Sequence, residues 1–175
     1  GKRDAAVLLL GFAGAFRRSE LVALDVADLE ETDRGLLVTI RRSKTDQEGR
    51  GRQVAILPGS RRELCPVAAV REWLAAAEIE DGPVFRSVSR WGRPGAKLSA
   101  RIVSSIVKRY AESAGLEPSE FAGHSLRAGL VTSAAERGAK TAAIRAITGH
   151  KSGEMISVYT RRVDAFVDHA AEGLL

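Results

Sequence analysis

The sequence predicts an α+β fold, mostly α-helical, with a small antiparallel β-hairpin or sheet at one edge. Three observations carry that expectation. Apolar residues recur at helical spacing along most of the chain. Two runs rich in β-branched residues, 36–42 and 53–57, flank a polar connection that holds Gly49 and Gly51. No internal repeat, low-complexity tract or linker divides the 175 residues, a length that forms one domain with a substantial core.

Residues 3–16 are apolar nearly all round, as in a helix buried on most faces. Lys2-Arg3 ahead of this run imitates a signal peptide, but the run is too short to span a membrane and reads as a core helix. The chain begins at Gly1 rather than Met and is read as a fragment of a longer protein. The character changes at Arg17-Arg18-Ser19-Glu20-Leu21. Ser19 is expected to cap a short helix with Glu20 in its first turn, anchored by Leu21, Val22 and Leu24. Arg17 then stands at a junction between two helices; a solvated pair, Arg17 with Arg18, is the competing reading.

The two β-branched runs with residues 44–51 between them read as a β-hairpin with a long tip. Lys44 stands where the first strand enters that tip, a place where a lysine is also commonly just solvated. Pro58-Gly59 closes the second strand. Pro66 is expected at a first helical position, followed by Val67, Val70, Trp73 and Leu74 at helical spacing. Residues 80–94 read as loop, with Val84-Phe85 a short extended piece. Arg86, Arg90 and Arg93 around Trp91 form a basic patch suited to a nucleic-acid backbone or, equally, to water. Ser99 is expected to cap a helix whose Ile102, Val103, Ile106, Val107, Tyr110 and Ala114 form one stripe, with Arg101, Ser105, Lys108 and Glu112 opposite and Gly115 as the stop. Tyr110 therefore reads as core.

A further helix is expected from near Ser125 to before Gly138, with Leu126, Leu130, Ala134 and Ala135 facing inward. His124 falls at its N-terminus and Arg127 one turn on, so both can project from the same end. That end also offers free backbone N–H groups to an anion. Thr141 starts a short helix through Ile144 and Ile147, stopped by Gly149, with His150 in the turn. Ser152-Gly153 opens a helix bearing Met155, Ile156, Val158 and Tyr159. Residues 164–175, with Phe166, Val167, Leu174 and Leu175, form an amphipathic tail helix.

A net charge of +5 and a pI near 9.8 favour polyanionic partners without establishing one. A single cysteine, Cys65, excludes an internal disulfide and a cysteine-based zinc site and fits a reducing, cytoplasmic setting. No HxxxH or HExxH spacing suggests a metal, no G-x-S-x-G elbow a serine hydrolase, and no glycine-rich phosphate loop a nucleotide hydrolase. What remains is an ordered set of arginine, lysine, His-x-x-Arg, histidine and tyrosine. It suits a phosphodiester. Arginine grips phosphate oxygens with a planar fork, histidine moves protons near neutral pH, and a deprotonated tyrosine is a nucleophile.

That set resembles the catalytic domain of tyrosine recombinases, the phage integrase family. Arg17-Arg18-Ser19-Glu20-Leu21 resembles the family's R-x-x-E-L segment, which selects Arg17 over Arg18. Lys44 falls at its hairpin lysine, His124-Ser125-Leu126-Arg127 is similar to its H-x-L-R box, Thr148-Gly149-His150 to its L-G-H turn, and Tyr159 stands at the nucleophile's position. Six matches in order outweigh the blander readings of Arg17 and Lys44.

The resemblance implies that Tyr159 attacks DNA to leave a 3′-phosphotyrosine, with no metal, cofactor or ATP. Arg17 and Arg127 would clamp the phosphate, Lys44 would be the general acid, His124 the acceptor of the Tyr159 proton, and His150 a further hydrogen-bond donor. Glu20 would be a structural partner near Arg17. The resemblance also implies double-stranded DNA as partner and a homotetramer acting on two duplexes. In that assembly the tail over 164–175 docks on a neighbouring protomer or folds back on its own domain. A helical DNA-clamping domain would precede residue 1, making 1–175 a single catalytic domain. A type IB topoisomerase-like nicking and resealing enzyme shares this residue set, and a non-catalytic DNA-binding module of the same fold is the alternative of another class.

Overall fold

Helix α1 (Lys2–Ala13) lies at the centre, with Ala6, Val7 and Leu10 fully buried. The computed structural model describes residues 1–42 and 51–149. Lys44, His150, Tyr159, the helix expected from Ser152 and the tail helix over 164–175 lie outside the described residues. Helix α1 ends three residues earlier than its apolar run. Ala15, at φ 47, turns the chain, and Phe16 tucks into the core at 1% exposure.

Helix α2 (Arg18–Ala23) follows, and its N-cap is Arg17, not Ser19. The Glu20 carboxylate decides this, because it accepts the Arg17 backbone N–H at 3.0 Å and so starts the helix one turn ahead of itself. Beyond a short 3-10 turn, strands β1 (Leu29–Thr32), β2 (Gly35–Ile40) and β3 (Arg52–Ile56) form an antiparallel sheet in that order. The expected hairpin is β2 with β3, in the register Val38 opposite Val54. Alternate residues Leu36, Val38 and Ile40 are buried on the core side. The edge strand β1 was not visible in the sequence.

Helix α3 (Pro66–Ala76) begins at Pro66 as expected and buries Val67, Val70 and Trp73 against α1. The Trp73 indole N–H donates to the Val84 carbonyl at 2.8 Å, tying α3 to the buried Val84-Phe85 segment. The loop expected over 80–94 instead contains β4 (Arg86–Val88), which pairs with β5 (Pro94–Lys97) in a second hairpin. Helix α4 (Ala100–Ser113) buries Val103, Ile106, Val107 and Ala111. Tyr110 departs from its expected core position. It is 37% exposed, because the buried face of α4 centres one position away, on Ala111.

Helix α5 (Ser125–Glu136) packs on α1, and α6 (Thr141–Thr148) packs on α5 and β3. Of the residues predicted to face inward on α5, Ala135 is buried, whereas Leu126, Leu130 and Ala134 are half-buried. The fully buried line runs through Arg127, Val131 and Ala135, towards the carbonyls that Arg127 reaches. Gly149 ends α6 in the left-handed region at φ 67, as its position suggested. No helix among the described residues is long and apolar enough to cross a membrane.

Candidate active site

The α1–α2 junction, the N-terminus of α5, the C-terminus of α6 and the start of β3 meet at one corner of the fold. Arginines hold them together. Arg127 is 6% exposed and turned inward: its Nη1 donates to the Ala15 carbonyl at 2.8 Å and its Nη2 to the Thr148 carbonyl at 2.7 Å. Its side chain therefore does not project from the helix end beside His124, as expected, but joins the turn before Arg17 to the turn before His150. Backbone carbonyls attract it there because they carry partial negative charge and lack helical partners at these turns.

Arg17 is the N-cap of α2, and its charge is met by Glu20, three residues on. Its Nη1 lies 2.6 Å from Oε1 of Glu20, whose side chain is 1% exposed. Glu20 thus takes both the backbone N–H and the guanidinium of Arg17, the structural role expected of it. Arg18 points elsewhere. It donates to Ser104 Oγ of α4 at 3.3 Å and crosses Gly123, where a Cβ would stand 2.7 Å from Arg18 Cδ. His124, next in the chain, is exposed at the N-cap of α5.

Sequence reading missed Arg52, the first residue of β3. Its Nη2 donates to Glu20 Oε2 at 3.2 Å and its Nη1 to the Ile147 carbonyl at 2.5 Å. Its Nε is buried against Gly149 and has no hydrogen-bond partner among the described residues. Burial draws the Arg52 guanidinium below its usual pKa range, Glu20 opposes that shift, and nearby Arg17 adds to it. Two guanidiniums therefore share one buried carboxylate. The only cue in the sequence was the pair of arginines flanking Gly51, and it did not say which turns inward.

The arrangement gathers Arg17, Arg52 and the inward-turned Arg127 at a corner whose only described buried carboxylate is Glu20, with His124 exposed at the N-cap of α5. Such a corner can bind an oxyanion and stabilise charge that develops on it. Lys44, His150 and Tyr159 lie outside the described residues. Gly149, the last described residue before His150, lies against Arg52. No group of three or more His, Cys, Asp or Glu among the described residues could hold a metal ion.

The sequence profile of the phage integrase family matches residues 1–165. The integrase/recombinase xerD homolog of Selenomonas ruminantium is 44% identical over 171 residues, covering 97% of this chain and 50% of that protein. Tyrosine recombinase XerD of Xanthomonas axonopodis pv. citri is 34% identical over 161 residues, 91% of this chain and 51% of that one. Among solved structures, the XerH site-specific recombinase bound to palindromic difH substrate in a post-cleavage complex matches with a TM-score of 0.75 at 16% identity, covering 99% of this chain and 46% of that one. A lambda integrase(75-356) dimer bound to a COC' core site matches with a TM-score of 0.60 at 21% identity, over 89% of this chain and 50% of that one. These two likenesses establish the α+β fold with its small antiparallel sheets. The chain spans about half the length of the relatives it matches.

Proposed function

The chain belongs to the phage integrase family, and on that premise we propose that it carries the catalytic machinery of a site-specific DNA recombinase. The observation that carries the reading is the ordered set Arg17, Lys44, His124, Arg127, His150 and Tyr159, of which the described members gather at one arginine-rich corner.

The chemistry is a transesterification. The Tyr159 hydroxyl gives its proton to His124, and its oxygen attacks the phosphorus of one DNA strand. The P–O5′ bond breaks as the P–O(Tyr159) bond forms, and Lys44 protonates the departing 5′-oxygen. Arg17 and Arg127 neutralise the non-bridging oxygens as charge accumulates on them, and His150 donates a further hydrogen bond. The phosphotyrosine conserves the energy of the diester, so a 5′-hydroxyl from a partner duplex can reverse the step with no nucleotide hydrolysis. Strand exchange requires two duplexes, which fits a homotetramer with residues 164–175 docked between protomers, working on DNA in the cytoplasm.

Covalent trapping tests this. Full-length protein is incubated with supercoiled plasmid carrying a library of candidate sites, in EDTA, and quenched with SDS. The expected result is a protein–DNA adduct that is lost in Tyr159→Phe. An adduct that persists in Tyr159→Phe refutes the nucleophile. No adduct from the parent favours a non-catalytic DNA-binding module. Relaxation of one duplex without exchange between two favours a topoisomerase-like enzyme.

A further inference from the structure

Gly123, the residue before His124, is buried, and its φ lies outside the left-handed region, so the turn itself does not require a glycine there. Space does. A Cβ on Gly123 would stand 2.7 Å from Arg18 Cδ and 2.8 Å from Ser104 Oγ, closer than such atoms pack. Two side chains from other helices thus fill the volume that a side chain at 123 would take. Arg18 comes from the first turn of α2 and Ser104 from α4. The two are joined, with Arg18 Nη1 donating to Ser104 Oγ at 3.3 Å.

The turn beneath this strap is closed on itself. The Ser125 N–H donates to the Ala122 carbonyl at 3.0 Å, and the Ala122 N–H donates to Ser125 Oγ at 2.8 Å. Gly123 and His124 are the two residues enclosed. The turn is reached from α4 through a 3-10 turn, Pro118–Glu120, that packs back on α4. His124 is exposed, and among the described residues nothing hydrogen-bonds or ion-pairs its side chain. Its ring is therefore placed by its backbone, and the contact that pins the turn also pins the ring.

Arg17 and Arg18 are consecutive but serve different neighbours. Arg17 is the N-cap of α2 and, in the reading above, clamps the phosphate. Helix α2 packs on α4, whereas α5, which His124 caps, packs on α1. Clamp and proton acceptor thus ride on elements with separate supports, and Arg18 spans the two. Arginine suits such a strap because its carbon stem can lie along a surface while its head stays in water. Arg18 is exposed, and the atoms over Gly123 are its Cγ and Cδ.

We propose that Arg18 is a positioning residue for His124. Its stem, fastened to Ser104, bears on Gly123 and sets the turn that carries the proton acceptor at a fixed distance from the phosphate held by Arg17. Arg18 itself does not touch the reacting atoms. The stem carries the effect, since the hydrogen bond of its head is long and exposed. The role of His124 in this proposal rests on the recombinase reading above.

The test uses full-length protein and single-turnover adduct formation at saturating DNA, with affinity measured in parallel on a Tyr159→Phe background. Arg18→Ala is expected to slow adduct formation by about 10- to 10²-fold with affinity near the parent's, as for a misplaced group rather than lost binding. Arg18→Met, which keeps the stem without the charge, is expected to recover most of that loss. Gly123→Ala displaces the stem and turns the Ser104 hydroxyl away. It should slow the parent similarly and cost little further on top of Arg18→Ala. Nor should Arg18→Ala slow His124→Gln further, because it acts through that ring.

Three results overturn the proposal: Arg18→Met as slow as Arg18→Ala, losses from Arg18→Ala and His124→Gln that multiply, or a fall in affinity with an unchanged saturating rate. The last would make Arg18 a DNA contact. A readout without chemistry separates the two readings. The Cε1–H resonance of His124, assigned by its absence in His124→Gln, is expected to move in Arg18→Ala. In Arg18→Met it should return towards the parent's position, although both variants lack the charge. An unmoved resonance overturns the strap. A parent that never forms an adduct, while the resonance moves as expected, sinks the recombinase reading and leaves the strap standing.

Discussion

Glu20 and Arg52, 32 residues apart in the chain, meet in a salt bridge of 3.2 Å at the half-buried start of β3. Since Arg17 holds the other oxygen of the same carboxylate at 2.6 Å, the N-cap of α2 and the sheet are anchored by one group. Glu20→Gln is expected to leave two guanidiniums without their counter-charge and to cost about 3 kcal/mol of stability, read by denaturant unfolding. A variant as stable as the parent would show that solvent, not Glu20, balances these cations.

Arg52→Lys keeps a charge for Glu20 but loses the fork that also holds the Ile147 carbonyl. The turn leading to His150 then loses a tether. Adduct formation at saturating DNA is expected to slow by up to about 10²-fold, the effect of a small misplacement in a catalytic constellation. Affinity for DNA should stay near the parent's. A parallel fall in affinity with an unchanged saturating rate would assign Arg52 to binding instead.

Gly149 and Gly138 offer a matched comparison. Both have positive φ, 67 and 74, so Ala at either is expected to cost about 1 kcal/mol of backbone strain. At Gly138 a Cβ meets nothing within 4 Å, whereas at Gly149 it would stand 2.9 Å from Arg52 Nε. Gly149→Ala should therefore lower the melting temperature further than Gly138→Ala, and only Gly149→Ala should slow adduct formation.

Lys44 as general acid predicts a leaving-group effect. Lys44→Ala should slow cleavage of ordinary DNA strongly. It should be nearly harmless on a substrate whose bridging 5′-oxygen is replaced by sulfur, since a thiolate leaves without a proton. Single-turnover rates on the two substrates measure this, and equal loss on both would assign Lys44 to phosphate binding.

Trp73→Phe keeps most of the buried ring but leaves the Val84 carbonyl without its 2.8 Å donor. The expected cost is about 1–3 kcal/mol, seen as a lower unfolding midpoint. DNA affinity should be unaffected, because Trp73 lies in the core.

By itself the sequence determined what depends on local pattern. Pro66 opens α3, Gly149 closes α6, the apolar stripe of α4 supplies the buried Val103, Ile106 and Val107, and the alternation of Leu36, Val38 and Ile40 marks a strand with one buried face. The ordered set from Arg17 to Tyr159 was legible for the same reason, since each member sits in a short motif of its own.

Tertiary structure alone decided the rest. The edge strand β1, Leu-Glu-Glu-Thr, has no alternation to announce it, because its hydrogen bonds come from β2 and its side chains stay largely in water. The hairpin β4–β5 is hidden likewise by an exposed strand with proline and glycine. Ser19 looks like a cap and Arg17 is one, because a carboxylate three residues on reaches back to it. Arg127 and Arg52 turn inward towards carbonyls that lie 112 and 95 residues away. No periodicity encodes such a contact: a guanidinium is buried only where the folded chain gathers enough oxygen atoms around it to replace water.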